Sequence, residues 1–444
     1  MKTDVVIIGA GLAGLSCGLE LAENGRDVFL FEARDWVGGR TASWDENGML
    51  VESGFHRYIG YYQALPKVLE RAGVRLDDII RWEERIEIRT PQHNSPGLFG
   101  VAPVHGPLKM IAGIIGNNEM LSPLDKASLI PFFVAGFKDF FLNPDKLDYI
   151  SVYDYARKYG VRQAAIDYLL GPFSTGLFFK PIQEYSALAF FGLFAPGLTR
   201  FYKMRIGAFL GGMTEVMCAP IARAIERHGG KVYTGTPVQG LLVEEGQVVG
   251  VALEDEEVRA NQVVLATSLD KAQQLLQPHF SQHPWFKPLL NLPAMPAVTI
   301  QIDLDRPALP TDRTTFGPGT CLASFAEQSR TTFKHVPGRL SIILTPPEKF
   351  LNMPAEEVLS SVIRDAKQLG MDIKPHIRDF RVISHHADFY SFAPKGYHKQ
   401  RPGQQTPIRG LKLAGDYTKQ PYFATMEGAV VSGLDAAKAI LTEA

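Results

Sequence analysis

"DVVIIGAGLAGLSCGLELAENGRDVFLFE", Asp4 to Glu32, is the stretch on which the fold turns. Its first residues, Asp4 to Ile8, form a short β-branched run of the kind a strand buried on both faces requires. Gly9, Gly11 and Gly14 follow in G-x-G-x-x-G spacing, and apolar residues then recur with helical periodicity as far as Gly25. A second strand-like run ends at Glu32, 18 residues after Gly14. In such a unit each glycine has a task. Gly9 permits the tight turn, Gly11 lets backbone amides approach a pyrophosphate at the helix N-terminus, and Gly14 lets helix and strand pack closely. Glu32 stands where a ribose would be bound. Glycines alone are weak evidence, but strand, turn, helix, strand and acid in this order predict a dinucleotide-binding α/β unit. Gly14 to Gly18 also satisfies G-x-S-x-G, the nucleophile elbow of hydrolases. That elbow needs its serine at a strand-to-helix turn, and Ser16 falls inside the helix.

With 444 residues the chain exceeds one compact core, so at least two domains are expected. Lys+Arg number 46 and Asp+Glu 47, a net charge of −1, which leaves no basic footprint for nucleic acid. Cys17, Cys218 and Cys321 lie far apart without CxxC spacing, so neither a zinc site nor a disulfide framework is expected, and a reducing compartment fits. The first residues enter a strand at once, which reads as cytosolic. No apolar run reaches the roughly 20 residues of a spanning helix. The longest uncharged stretch, Tyr185 to Thr199, is interrupted by Pro196. Pro107 to Phe201 is nevertheless dense in Phe, Leu, Ile and Tyr, the composition of a helical core in a second domain.

Further along, Gly211 to Thr267 reads as helix, strand, a hairpin turning at Glu245-Gly246, and a buried strand at Val263 to Ala266. No second G-x-G-x-x-G occurs in it, so a bound nicotinamide cofactor is not indicated. His385, His386 and Asp388 suggest a metal only superficially, because adjacent histidines on a strand point to opposite faces; no metal site is expected. Asp45, Glu46 and Glu52 read as a solvated hairpin, and Pro354 to Gly370 as an amphipathic helix packed on the second domain.

Directly after Glu32, "ARDWVGGRTASW" brings Gly38, Gly39 and Arg40, a backbone nest and a cation for a second phosphate face, which suits an extended FAD. "GMLVESGFHRYIGYY" then carries Glu52, Gly54, His56 and Arg57 on a strand and turn close to a flavin. These stretches, with "NNEML" at Asn117 to Leu121 and "LAGDYTKQPYFATMEGAVVSG" at Leu413 to Gly433, resemble the flavin-dependent amine oxidase and carotenoid desaturase superfamily, above all plant and cyanobacterial phytoene and ζ-carotene desaturases. The resemblance is strong at both ends and weak over 144–209 and 277–391.

It implies a Rossmann-type FAD-binding domain, a parallel sheet with a β-meander, formed by 1–90, 205–275 and 395–444. An α+β substrate domain would take 91–204 and 276–394 and include a helical part. Gly415 and Asp416 would meet the ribityl or pyrophosphate, and a strand around Val238 the adenine. Met426, Glu427, Gly428 and Ala429 would open a helix aimed at the isoalloxazine, whose N-terminal amides favour the negative charge of the reduced ring. No cysteine lies near this motif, so the FAD would be noncovalent. The implied activity is removal of hydride from a long apolar isoprenoid, with quinone or oxygen as acceptor. Arg57 and Arg200 are candidates for steering the substrate or a quinone. An amine oxidase of the same fold is the alternative, although Thr425 stands where such enzymes commonly place an aromatic cage wall; a non-catalytic flavin-containing lipid carrier is another. An isoprenoid substrate further implies contact with a membrane surface. Residues 106–141, with Lys109, Lys126 and Lys138 interrupting short apolar runs and Pro131 preceding Phe132 and Phe133, are the membrane-contacting candidate.

Overall fold

The computed structural model describes residues 1–83, 85–93, 96–100, 120–203 and 205–443. Two seven-stranded sheets organise it. In the first, Lys2–Ile8 lies between Val28–Phe31 and Glu257–Leu265, parallel to both, and Lys231–Tyr233 extends the parallel array beyond Val28–Phe31. Every residue of Val28–Phe31 and of Val5 to Ile8 is buried, as their unbroken apolar runs require. Glu257–Leu265 has two further partners. Its first residues pair with the antiparallel hairpin Gly240–Glu244 and Gln247–Ala252, and its last three pair with Leu411–Leu413. Glu245 and Gly246 turn that hairpin with φ of 47° and 75°, the geometry of a two-residue primed turn.

The ends of the chain meet through two helices. Leu12–Glu23, in which Ser16 indeed sits, packs against Met426–Thr442. A Cβ on Gly433 would stand 2.1 Å from the Ala13 carbonyl oxygen, so only glycine permits the approach. Ser16 Oγ donates within this contact, 2.7 Å from the Leu12 carbonyl and 3.2 Å from that of Val430.

The second sheet runs Ile377–Tyr390, Ala294–Leu304, Gly338–Leu344, Leu322–Glu327, Thr315–Phe316, Arg85–Ile88 and Gly97–Gly100, antiparallel except between Thr315–Phe316 and Arg85–Ile88. Helix Ala355–Gln368 buries Val358, Val362 and Ala366 in one core with Ile300, Phe325 and Ile342. Helix Gly171–Phe178 approaches through Gly176, where a Cβ would lie 2.3 Å from the Phe316 ring. One expectation shifts here: Arg85–Ile88 already belongs to this sheet, ahead of the crossing placed at residue 90. Ile206–Phe209 pairs with Tyr58–Ile59 and Ile80–Glu83 in a small separate sheet.

The aromatic stretch forms helices, of which Pro123–Leu142 is the longest. Ser122 and Asp125 close a capping box at its start. Phe132 is fully buried against Tyr155, Phe190 and Phe191, and Gly136 leaves room for the Phe191 ring, 1.8 Å from where a Cβ would be. Phe132 is therefore core, not an outward anchor. The face turned to solvent carries Leu124, Ile130, Val134, Phe141 and Leu142, each more than 60% exposed. Lys109 and the rest of 106–119 lie outside the described residues. Among those described, no helix is long and apolar enough to cross a membrane.

Candidate active site

Two glycine turns stand back to back at the C-terminal end of the parallel strands. Gly9 has φ of +102° and would place a Cβ 2.8 Å from the Ala266 carbonyl oxygen; a Cβ on Gly14 would meet the Gly9 carbonyl at 1.9 Å. Gly11 is different: nothing lies within 4 Å of its missing Cβ, so the space it leaves belongs to the cavity. No side chain caps the helix it precedes, leaving the first-turn amides available to an anion. The Gly38 amide donates to the Ala10 carbonyl at 2.8 Å, and Gly39, at φ +57°, lies against Gly11. Glu32 is fixed at the turn by the amides of Ala10 and Arg34, at 2.8 and 3.0 Å. Val238 also lines the cavity, but from the loop before Gly240–Glu244 rather than from a strand.

The two chain ends are tied by an ion pair. Arg40 donates to both carboxylate oxygens of Asp416 and, at 2.9 Å, to the Asp388 carbonyl. Burial pulls the Arg40 pKa down, but Asp416 and Asp388 outweigh it and hold the guanidinium above its ordinary value. Gly415, with φ of +136°, donates its amide to Ser432 Oγ at 2.8 Å. Met426 and Ala429 line the cavity from the first turn of the C-terminal helix, where Thr425 Oγ1 accepts from the Gly428 amide at 3.1 Å. Gly14, Gly428 and Glu427 do not line it. The Glu427 carboxylate turns away, accepting the amides of Gln63, Ala64 and Leu65 at 2.6, 2.7 and 2.9 Å, and so caps helix Ala64–Arg71. Burial raises its pKa against these three donors.

The cavity has a volume of about 1550 Å³, beyond the roughly 300–1,000 Å³ of an ordinary single-ligand pocket. Polar at the glycine turns, it becomes aromatic at the far end, where Phe133, Phe137, Phe173, Phe190 and Phe194 form the wall. Gly54, His56, Arg57 and Thr299 also line it. Arg57 is buried and paired, with Nε 2.6 Å from Glu83 and Nη2 on Asp312, while Nη1 has no partner. Burial is again outweighed by the two carboxylates, which hold its pKa up. Arg200 does not line the cavity; it marks a kink, with φ −132° and ψ 32°, and lies near Tyr422 and Glu427.

Three features were not legible in the sequence. Glu52 is not on a solvated hairpin: it is 2% exposed, and burial raises its pKa to about 7 against weak hydrogen bonds from Gln328 and the Met213 amide, both 3.4 Å. His385 and His386 both line the cavity, from the edge strand Ile377–Tyr390. Among the described residues no group of His, Cys, Asp and Glu could hold a metal. Tyr61 and Tyr62 also join the wall, Tyr61 donating its hydroxyl to the Leu193 carbonyl at 2.8 Å.

The profile of the flavin containing amine oxidoreductase family matches residues 12–441. The chain belongs to this family. It is 32% identical to the 15-cis-phytoene desaturase of Solanum lycopersicum, over 99% of this chain and 78% of that protein. With the 15-cis-phytoene desaturase of Synechococcus elongatus it shares 28%, over 98% and 95%. Among solved structures, an oxidoreductase from Methanosarcina mazei superposes with a TM-score of 0.78 at 20% identity, covering 99% and 100% of the two chains. The family member described here is an FAD-dependent oxidoreductase. Its residues fit the cofactor: the open space at Gly11, the uncapped helix amides and the paired glycine turns form a cradle that a side chain would fill.

Proposed function

We propose that this flavoenzyme oxidises a C–H bond of a long apolar isoprenoid and leaves a new double bond, as the carotenoid desaturases it resembles are named for doing. One observation carries the reading: a single cavity, too large for one ligand, joins the dinucleotide cradle to an aromatic chamber. An isoprenoid offers almost nothing to hydrogen-bond, so binding rests on buried apolar area, about 2.5 kcal/mol per 100 Å². The Phe133, Phe137, Phe173 and Phe190 walls supply that area and exclude water. FAD, when bound, takes up hydride at its ring; this chain's residues hold the substrate chain in register beside it. Quinone or oxygen would reoxidise it.

Amine oxidation is the weaker reading. Thr425, where a cage wall would stand, spends its hydroxyl on the Gly428 amide.

The substrate would enter from a bilayer. Ile130, Val134 and Leu198 are exposed and also line the cavity, so its apolar end opens on an apolar surface, with Lys138 exposed on the same helix. The deciding experiment is anaerobic mixing of the loaded enzyme with polyene hydrocarbons and with amines. Bleaching of the flavin by the polyene alone is expected; bleaching by amines alone would overturn the proposal.

A further inference from the structure

Converting two adjacent C–H groups into C=C removes two electrons and two hydrogens. One hydrogen leaves with its bonding pair as hydride to the oxidised flavin. The other leaves the neighbouring carbon as a proton, and the pair it abandons becomes the second bond of the double bond. In a water-excluding aromatic chamber that proton needs an acceptor with a free lone pair.

We propose that Nε2 of His56 is that acceptor, a role that rests on the reading above that a C–H bond is oxidised in this cavity. His56 belongs to the irregular segment between strands Met49–Glu52 and Tyr58–Ile59, and it lines the cavity beside Gly54 and Arg57. Its Nδ1 lies 2.7 Å from the Gly54 carbonyl. A carbonyl only accepts, so Nδ1 carries the proton and the lone pair is on Nε2. Nε2 makes no hydrogen bond among the described residues and is not sealed off by protein atoms.

Two other candidates are engaged, Glu32 by two amides and Asp416 by Arg40. His385, with Nε2 3.0 Å from the Ser53 carbonyl, carries its lone pair on Nδ1, and His386 also lines the cavity; an acid limb lost only in His385→Gln or His386→Gln would therefore overturn His56. Asp388 also lines the cavity, and a carboxylate is intrinsically a weaker base than imidazole. The charged and titratable groups facing His56 are Asp388, Arg40 and His385. Burial, Arg40 and His385 lower its pKa, while the Gly54 carbonyl and Asp388 oppose them. The ring is thus neutral at neutral pH, and Asp388 and the Gly54 carbonyl stabilise the imidazolium once the proton arrives.

The test has two arms. In ¹⁵N-histidine NMR of the FAD-loaded protein, the His56 signal, assigned by its loss in His56→Gln or, where that variant does not fold, His56→Asn, should report the Nδ1–H tautomer and titrate below the ordinary value near 6.5. An Nε2–H tautomer or an imidazolium at pH 7 overturns the proposal. In anaerobic single turnover with a polyene hydrocarbon, the bleaching rate should fall on an acid limb at the NMR pKa. His56→Ala, with FAD content unchanged, should lose that limb and slow by about 100-fold or more, and added imidazole should restore part of the rate. A variant that keeps rate and limb, or a limb lost only in Asp388→Asn, overturns His56 while leaving the proposed function standing. A wild type that no polyene bleaches overturns the proposed function, and this role with it, whatever the tautomer.

Discussion

Gly11 and Glu52 show how single residues carry different kinds of constraint. At Gly11 the empty space serves the ligand, so Gly11→Val should fold normally yet lose FAD, read as an absent flavin spectrum on a protein with an unchanged far-ultraviolet spectrum. Glu52 is a constraint of burial. Because its pKa is raised to about 7, the native protein keeps a proton that the unfolded chain releases near 4.5. The stability this proton contributes is complete below that range and is lost as pH rises to about 7, with no further change above. Glu52→Gln removes the decline, and the unpartnered Oε1 of Gln328 offers the new amide an acceptor. The variant should therefore be more stable than wild type at pH 8, by on the order of 3 kcal/mol, and equal to it at pH 4, in urea unfolding followed at both pH values.

At the scale of elements, helix Pro123–Leu142 separates core from surface within two residues. Phe132→Ala should cost about 3–5 kcal/mol, as large-to-small core changes do, measured as a drop in the denaturation midpoint. Replacing Ile130, Val134 and Phe141 by serine should leave that midpoint nearly unchanged and abolish flotation with anionic vesicles. Wild type that never floats would remove membrane docking from the proposal. Helix Ala64–Arg71 depends on a residue 362 positions away, Glu427 on Leu65. Glu427→Ala strands three amides and should destabilise by on the order of 3 kcal/mol, seen as a lower melting temperature even with the FAD site occupied.

For the whole molecule the cofactor is also a structural partner. The cradle takes residues from both ends of the chain, so FAD binds the folded state and not the unfolded one. FAD at 1,000 times its dissociation constant should add about 4 kcal/mol, and the melting temperature of stripped protein should climb as FAD is titrated in. A melting temperature indifferent to FAD would mean that FAD does not bind the folded state in preference to the unfolded chain.

The sequence by itself determined the strand–helix–strand unit, because the turn at Gly9, the close helix contact at Gly14 and the acid at Glu32 all lie within one local stretch. It also determined the hairpin at Glu245-Gly246, for the same reason. What tertiary structure decided is where polar side chains point once distant segments meet. Asp416 and Arg40 had each been assigned to the cofactor and are also each other's counter-ion, across 376 positions. Glu427 left the cofactor for the amides of another helix, Phe132 turned inward because Gly136 admits Phe191, and Glu52 was buried by residues near 213 and 328. Periodicity reports one face of one element against an average interior; it holds no information about which remote group covers a given carboxylate, and that covering group sets both its charge and its task.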